Sequence, residues 1–303
     1  MLAARRPRRT VYSGSMSNEP DRFTYTDAEG IEISAYSWAV PAGSGGPHAI
    51  VQIAHGIGEH ARRYDAFADV LTANGFAVFA DDHRGHGETG RSQHRGDLAQ
   101  LGRLGPGGLR AAEAAVLRLT AIARERHPGL PLIMFSHSWG SLMTQRILNR
   151  EPRAFDAVVL SGSAYRTPRA MESGDLNRRW GGPDANGFEW LSSDAASVAA
   201  FIADPLCFEA DILRLFGLAD GLRLYGVPKR GIPAELPLLI VSGGDDPLSR
   251  GDGLQRLADA YRAVGVRDVS LRIYPGSRHE LLNEVDRDEA TADIVTWMLG
   301  RVE

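Results

Sequence analysis

The amino-acid sequence predicts an α/β protein built on a mostly parallel, doubly wound sheet. Three observations indicate this class: short apolar runs alternate with amphipathic helical patterns from residue 49 onward, most of the runs are nearly continuous in apolar residues, and a hairpin pattern precedes them. A strand that is apolar throughout is typical of a sheet covered on both faces, because neither face meets water. Alternation of strands with helices favours parallel pairing.

The elements are predicted in chain order from local patterns. Segments 22–26 and 31–38 flank Asp27-Ala28-Glu29-Gly30, whose turn-forming residues are typical of an antiparallel hairpin at a sheet edge. Apolar runs then predict strands at residues 49–54, 76–80, 132–135, 157–160, 238–241 and 269–274. Apolar residues at three- and four-residue steps predict a helix over 109–123, and a last helix is expected over 289–299.

Between the sixth and seventh strands the alternation stops, and residues 165–235 carry an apolar series of helical character. This stretch is predicted to be a helical cap inserted after the sixth strand, above the edge where the strand-to-helix loops emerge. Residues 17–164 and 236–303 then form one core domain.

Residues 1–16 contain a cluster of four arginines without the apolar stretch of an export signal. We expect them to be a disordered arm, or residues upstream of a true start at Met16.

Composition excludes several classes of function. The 303 residues carry a formal net charge of −4 and therefore no basic footprint for nucleic acid. Cys207 is the only cysteine, which rules out an intrachain disulfide and a cysteine-rich metal site. No apolar stretch approaches the roughly 18 residues of a transmembrane helix. We expect a soluble, cytoplasmic protein with no integral membrane segment.

A serine between a strand and a helix is the first candidate for chemistry. The strand at 132–135 runs into Ser136-His137-Ser138-Trp139-Gly140, and a helical pattern follows at 141–148. This context is that of a nucleophile elbow, a strained turn that projects a hydroxyl above the sheet. Ser138 is the predicted nucleophile. Ser136 stands where glycine is usual, but strand alternation keeps it from the tip of the turn, and Ser136→Ala should remain active.

The position of the serine selects a histidine partner. In proteins with this elbow the order of the catalytic triad along the chain is serine, acid, histidine. Of nine histidines only His279 follows Ser138, and it lies just after the strand at 269–274. His279 is therefore the predicted general base.

The acid is expected after the strand at 238–241, where Asp245 and Asp246 are adjacent and Asp252 is more distant. Asp246 is the predicted member, because it directly precedes a proline in a G-x-x-D-P pattern typical of this loop. Its carboxylate would orient His279 and stabilise the imidazolium. Asp245 is expected to cap the next turn or helix.

Two backbone amides are predicted to stabilise the oxyanion of the transition state. One is the amide of Trp139, at the helix N-terminus after the serine. The other is that of Ile57, in the loop His55-Gly56-Ile57-Gly58-Glu59-His60, where glycines permit inward-facing amides. His-Gly loops also serve as tight turns, which is the alternative reading of this segment.

Three motifs carry a resemblance to a known family. They are loop 55–60 with Arg63-Tyr64, segment 82–87 and segment 279–284, which read HGIGEH-x-x-RY, DHRGHG and HELLNE. They resemble HGxGEH-x-x-RY, DxRGHG and HExxNE of the monoacylglycerol lipase and lysophospholipase branch of the α/β-hydrolases, of serine aminopeptidase S33 type. The resemblance spans about residues 50–284 and implies the α/β-hydrolase fold and a capped serine hydrolase whose cap forms an acyl-chain tunnel. The chain departs from the family at Ser136, where glycine is usual, and at Trp139, where methionine is common.

Other reactive residue types are expected to have structural roles. His83 and His86, in a glycine-rich turn, are expected to hydrogen-bond the loop rather than bind a metal. His137 is expected to pack beneath the elbow, and Cys207 to be a buried small residue. The predicted chemistry needs no metal and no cofactor.

We expect the chain to cleave a carboxylic ester through an acyl-enzyme, with a small lipid-like ester of monoacylglycerol or lysophospholipid type as substrate. Hydrolysis of a lactone, thioester or peptide amide on the same triad, and a non-catalytic binding protein, are the alternatives. The cap's apolar residues suit an acyl chain, a transient contact with a membrane surface, or the cap's own core. The predicted substrate-binding residues are His55, Gly56, Trp190, Leu191, Phe201, Leu206 and Phe216.

Overall fold

One eight-stranded sheet organises the computed structural model, which describes residues 19–302. Its strands are β1 (Asp21–Thr26), β2 (Glu32–Trp38), β3 (Ala49–Ala54), β4 (Phe76–Asp81), β5 (Leu132–His137), β6 (Ala157–Ser161), β7 (Leu238–Gly243) and β8 (Val269–Tyr274). Their order across the sheet is β1-β2-β4-β3-β5-β6-β7-β8. Strand β2 pairs antiparallel with β1 and β4, and the remaining pairs are parallel. The predicted sheet with its N-terminal hairpin is confirmed.

Eight α-helices lie in the described part of the chain. They are α1 (Asp65–Ala73), α2 (Gly87–Gln93), α3 (Gly108–Arg126), α4 (Trp139–Leu148), α5 (Ala195–Ala203), α6 (Ile212–Arg223), α7 (Gly253–Ala263) and α8 (Arg287–Leu299). Helix α2 was not predicted, because its sequence GETGRSQ is polar, holds two glycines and shows no apolar period. None of these helices combines the length and apolar character that a membrane crossing requires, within residues 19–302.

The sheet separates two apolar clusters, one on each face. Successive residues of β5 belong to different clusters: Met134 packs with residues of α3, α4 and α7, whereas Ile133 packs with residues of α1 and α8. Both side chains are fully buried. Burial of one such side chain contributes about 1.5–3 kcal/mol, and the period of two in a strand sends each to its own face. Strand β5 is thus covered on both faces.

A cap of two helices, α5 and α6, follows the sixth strand, as predicted. Helix α6 is interrupted at Gly217, whose dihedrals of φ 72° and ψ 173° are far from helical values. The limits of the cap at residues 165 and 235, and the division into core segments, stay predictions. The predicted disordered arm, residues 1–16, lies outside the described residues.

The strand register brings the carboxyl ends of the central strands to one edge of the sheet. Ser136 of β5 pairs with Ala54 of β3, and Gly243 of β7 pairs with Tyr274 of β8. The loops that follow these strands therefore emerge side by side. Ligands bind at this edge in open α/β sheets. A site is therefore expected among the loops that follow β3, β5, β7 and β8.

Candidate active site

Ser138 occupies a strained turn between β5 and α4. Its dihedrals are φ 50° and ψ −122°, and among the described non-glycine residues only Arg95 shares a positive φ. The turn is tight because strand and helix approach closely: a Cβ on Gly140 would lie 2.3 Å from the carbonyl oxygen of Ala54. A backbone strained in this way persists only when its surroundings enforce it, and such strain concentrates at functional sites.

Ser136 lies in the sheet rather than in the turn. Its side chain is fully buried, and its Oγ donates a hydrogen bond of 3.1 Å to the carbonyl oxygen of Val159 on the neighbouring strand β6. The hydroxyl is therefore engaged in the core, two residues before the tip of the turn. Strand alternation predicted this placement.

His279 and Asp246 are hydrogen-bonded to each other at the ends of β8 and β7. The Nδ1 atom of His279 lies 3.0 Å from Oδ2 of Asp246, and both side chains are 1% exposed. Asp246 also accepts hydrogen bonds from the hydroxyl of Ser242 at 2.8 Å and the amide of Leu248 at 2.9 Å. Because a carboxylate only accepts, Nδ1 carries the proton and Nε2 is the free lone pair. This Nε2 is buried and has no hydrogen-bond partner among the described residues.

The pair shifts the pKa of both its members. Burial would raise the pKa of Asp246, but the charge of His279 and the hydrogen bonds to the carboxylate outweigh it and hold that pKa below its ordinary value. Burial would lower the pKa of His279, but the carboxylate of Asp246 outweighs it and raises that pKa above the ordinary value. The pair thus favours an ionised Asp246 carboxylate and a protonated His279 imidazole.

The neighbouring aspartates have other roles. Asp245 forms an ion pair with Arg179 at 2.6 Å on the surface, and Asp252 lies exposed before α7. The expectation that Asp245 caps the turn is wrong, because the carboxylate that accepts the turn amide of Leu248 belongs to Asp246. The carboxylate of Asp245 is engaged by Arg179 instead.

The loop after β3 is held against the serine by polar contacts. The amide of Gly56 donates to Oε1 of Glu59 at 2.6 Å, and a Cβ on Gly56 would lie 3.0 Å from Cβ of Ser138. The ring of His55 donates from Nδ1 to the carbonyl of Gly56 and accepts the amide of His83 at Nε2. The amide of Ile57 makes none of the hydrogen bonds found within residues 19–302, and the first amide of α4, that of Trp139, has no partner inside the helix.

An aromatic cluster surrounds Trp139, whose side chain is 1% exposed. Its indole stacks on His86, with ring centroids 5.1 Å apart, and packs against Phe216 of α6 at 5.2 Å. His83 contacts the same indole edge-on at 5.6 Å. Burial lowers the pKa of His86 to about 3, so this ring is neutral at pH 7. The ring donates from Nδ1 to the carbonyl of Arg84, within its own loop.

Beside the elbow, the ring of His137 lies 4.7 Å from that of His279. Burial, and next the charge of His279, lower its pKa to about 4. His137 is thus a neutral ring packed behind the histidine.

The cap reaches the site through the segment before α5. The indole of Trp190 lies 4.7 Å from the ring of His279, and the carbonyl of Leu191 accepts the amide of Glu280 at 2.8 Å. Phe201 of α5 packs under the guanidinium of Arg63 at 4.9 Å. Leu206 lies in the turn after α5, where its amide is bonded to a cap aspartate. The structure thus brings Trp190 and Leu191 to the histidine, but it gives Leu206 a place within the cap.

Phe208 lies beside the candidate site and was not among the predicted site residues. Its ring lies 5.2 Å from that of His86, and its amide donates to the carbonyl of Gly58 in the loop after β3. The available signal was its membership in the apolar series of the cap, but that series does not distinguish a residue facing the site from one in the cap's own core.

One group of side chains in the described part of the chain could hold a metal ion. His60, Asp204 and Cys207 offer donor atoms within 4.8 Å of one another. His60 is instead bonded directly to Asp204 at 2.8 Å, and burial raises the pKa of the Cys207 thiol, which disfavours the thiolate that a metal needs. The contact between His60 and Asp204 joins the loop after β3 to the cap.

A mostly parallel sheet with an elbow serine between β5 and α4 defines an α/β-hydrolase. The chain is similar to the monoacylglycerol lipase of Mycolicibacterium smegmatis, with 33% identity over 267 residues that cover 84% of this chain and 90% of that protein. It is also similar to a solved carboxyl esterase of Bacillus coagulans in complex with glycerol, with TM-score 0.81, 25% identity and coverage of 94% of this chain and 99% of the other.

The monoglyceride lipase of Saccharomyces cerevisiae, solved as a soluble variant in complex with a substrate analog, shares the fold with TM-score 0.73 at 20% identity, over 96% of this chain and 99% of that one. A family model described as serine aminopeptidase, S33 matches residues 45–286. The chain belongs to the serine aminopeptidase S33 family. The predicted family and the predicted class of enzyme, an ester hydrolase, are confirmed.

Proposed function

We propose that the chain is a serine hydrolase of lipid-like carboxylic esters, of monoacylglycerol or lysophospholipid type, and that Ser138, His279 and Asp246 form its triad. The hydrogen bond between His279 and Asp246 carries the proposal. It leaves Nε2 of His279 as a buried, unpartnered base at the edge of the sheet where the elbow serine emerges.

In the proposed reaction His279 takes the proton of Ser138 as the hydroxyl attacks the ester carbonyl. Asp246 keeps the imidazole in the tautomer that exposes Nε2 and stabilises the imidazolium. The alcohol leaves with the proton from His279, and an acyl-enzyme remains. Water then attacks this ester, with His279 again acting first as base and then as acid.

The oxyanion is assigned to the amides of Ile57 and Trp139. Gly56 is excluded as a donor, because its amide is already bonded to Glu59 at 2.6 Å. Amides held in place before the reaction stabilise the developing charge without reorganisation, and the loss of one such donor typically costs about 10²–10³-fold in kcat.

The lipid character of the substrate is supported by the apolar lining of the region around the serine. Trp139, which follows the serine, contacts Phe216, and Trp190 contacts His279. Relatives named monoacylglycerol lipase point in the same direction. The outer face of the cap adds exposed leucines on α6, namely Leu213, Leu218 and Leu222, which suit a transient contact with a lipid surface. The cytoplasmic location stays a prediction.

A chain-length series of glycerol and nitrophenyl esters tests the proposal. We expect turnover by the wild type and a loss of about 10⁴-fold or more in Ser138→Ala, with the matched control Ser136→Ala retaining most of its activity. Absence of turnover with every ester would remove the proposed function. Preference for a lactone, thioester or peptide amide would keep the triad and replace the substrate.

A further inference from the structure

We propose that Arg63 is a positioning residue. It holds the loop after β3 (residues 55–60, the oxyanion loop) and the loop after β8 (residues 275–284, the histidine loop) in a fixed relation, through Glu59 on one side and Glu280 on the other. The inference rests on the proposed function, since it assigns Ile57 and His279 to the reaction. Neither Arg63 nor its two partners touches the reacting atoms in this scheme.

The guanidinium of Arg63 binds both carboxylates at once. Its Nη1 donates to Glu59 at 2.8 Å and to Glu280 at 2.6 Å, and its Nη2 donates to the second oxygen of Glu280 at 2.7 Å. The side chain is only 11% exposed. A planar fork can satisfy two carboxylates in this way, whereas the point charge of a lysine cannot reproduce the geometry.

On one side, Glu59 passes this restraint to the oxyanion loop. Its Oε1 accepts the amide of Gly56 at 2.6 Å and the hydroxyl of Tyr64 at 2.8 Å. A Cβ on Gly56 would lie 2.8 Å from the same oxygen, so the carboxylate is packed directly against the residue that precedes Ile57. The orientation of the Ile57 amide therefore depends on where Arg63 holds Glu59.

On the other side, Glu280 directly follows His279. Its carboxylate also accepts the side-chain amide of Asn283 at 2.9 Å, and its own amide donates to the carbonyl of Leu191. Burial would raise the pKa of Glu280, but its pairing with Arg63 lowers that pKa to about 2. The carboxylate is thus ionised throughout the working range and anchored to Arg63 by two bonds.

Buried charges from several elements face His279. They are Asp246 from the loop after β7, Glu280 from its own loop and Glu59 from the oxyanion loop, with the neutral ring of His137 from β5 alongside. The single positive charge of Arg63 offsets one of the two negative charges of Glu59 and Glu280. It therefore limits the negative potential at His279. Its position is therefore linked to both the geometry and the basicity of the site.

In the transition state the oxyanion donors and the base act at the same moment, and a displacement of about 1 Å between them can cost about 10²-fold in rate. We expect Arg63→Lys to lower kcat about 10²-fold and to change KM by less than about threefold. The matched control is Arg62→Lys, because Arg62 pairs with Asp65 and Glu19 at the surface, and its kinetics should be those of the wild type. An unchanged kcat, or a rise of KM alone, would overturn the proposal.

A second variant, Glu280→Gln, removes one carboxylate next to His279 while it keeps the shape of the side chain. The acid limb of the pH profile of kcat/KM should move to lower pH, because a negative charge that raises the pKa of His279 is lost. A limb that stays in place would show that the charge of Glu280 does not act on His279, and would overturn this part of the proposal. The profile thus tests the proposal even where Arg63→Lys fails to fold, as a thermal melt would show.

Labelling with a fluorophosphonate separates the inference from the proposed function. The reagent phosphonylates an activated serine with loss of fluoride and needs no ester substrate. If the wild type is labelled but hydrolyses no ester, the ester proposal fails, and a slower labelling of Arg63→Lys still supports the positioning role. Equal labelling rates for the wild type and Arg63→Lys would reject that role, and an unlabelled wild type would reject both.

Discussion

The backbone amide of Phe208 donates a hydrogen bond of 3.0 Å to the carbonyl oxygen of Gly58. The bond joins the turn after α5 to the loop after β3, one residue beyond Ile57. The cap is thus attached to the same loop that is proposed to stabilise the oxyanion. Attachment at this point links the conformation of this loop to the seating of the cap.

Gly58→Ala should disrupt this junction. The residue has φ +79°, and an added Cβ would lie 2.4 Å from the carbonyl oxygen of Phe208. We expect a fall of kcat of about 10-fold or more as the loop shifts, together with a lower melting temperature. Gly96→Ala is the matched control, because Gly96 has φ +85° with no atom within 4 Å of the added Cβ. Equal losses in the two variants would show that backbone strain, and not the cap contact, causes the effect.

Replacement of each of the two adjacent aspartates by asparagine should have contrasting effects on kcat. Asp246→Asn should lower kcat by about 10⁴-fold, because an amide in place of the carboxylate favours the wrong tautomer of His279. Asp245→Asn removes a partly exposed ion pair with Arg179, which is worth at most about 1 kcal/mol, and should leave kcat near the wild-type value. Steady-state kinetics of the two purified variants decide the matter. The reverse pattern would transfer the acid role to Asp245.

Acid should destabilise the protein through its buried neutral histidines. Burial lowers the pKa of His86 to about 3 and that of His137 to about 4, and it holds the pKa of His55 well below the ordinary value. In the unfolded chain these rings take up protons below about pH 6.5. The unfolded state therefore binds more protons, and the free energy of unfolding falls with falling pH, by about 1.4 kcal/mol per pH unit for each ring.

His279 acts in the opposite sense, because its pKa is raised in the folded state. Its contribution is fully present below the unfolded pKa and is lost as pH rises through the folded value. Urea unfolding at pH 7, 6, 5 and 4 measures the sum of these contributions to the free energy of unfolding. We expect His86→Asn to reduce the slope between pH 6 and pH 4 by about 1.4 kcal/mol per unit. If the free energy of unfolding of His86→Asn had the same pH slope as that of the wild type, the assignment of a neutral His86 would be contradicted.

Trp139→Met should change the preference for acyl-chain length. The substitution keeps the backbone amide and removes the indole that fills the space between His86 and Phe216. We expect kcat/KM for long esters to rise about tenfold relative to short ones, at a smaller cost in stability than the about 3–5 kcal/mol of a Trp-to-Ala truncation. Trp297→Met, on α8, serves as the control. An unchanged ratio of kcat/KM between long and short esters would mean that the acyl chain does not pass the indole.

Much of the fold was predictable because its signals are local. Apolar runs predicted the first and last residues of the strands to within two residues. Turn residues predicted the hairpin between β1 and β2. Helix α2 escaped prediction, since its polar, glycine-containing sequence forms a helix only where the surrounding loops support it. The contacts of Phe208 with the loop after β3 and with His86 were not predicted either, because an apolar series alone does not say which neighbour each side chain meets.

The sequence by itself determined the candidates. Ser138 lies between a strand and a helix, His279 is the only histidine after it, and an aspartate pair follows the preceding strand. The G-x-x-D-P pattern also favoured Asp246 within that pair, but only the tertiary structure revealed its hydrogen bond to His279 and the contacts that hold the two loops together. The hydrogen bond to Asp246 and the bridge through Arg63 join residues far apart in the chain, and such contacts depend on distances that no local pattern encodes.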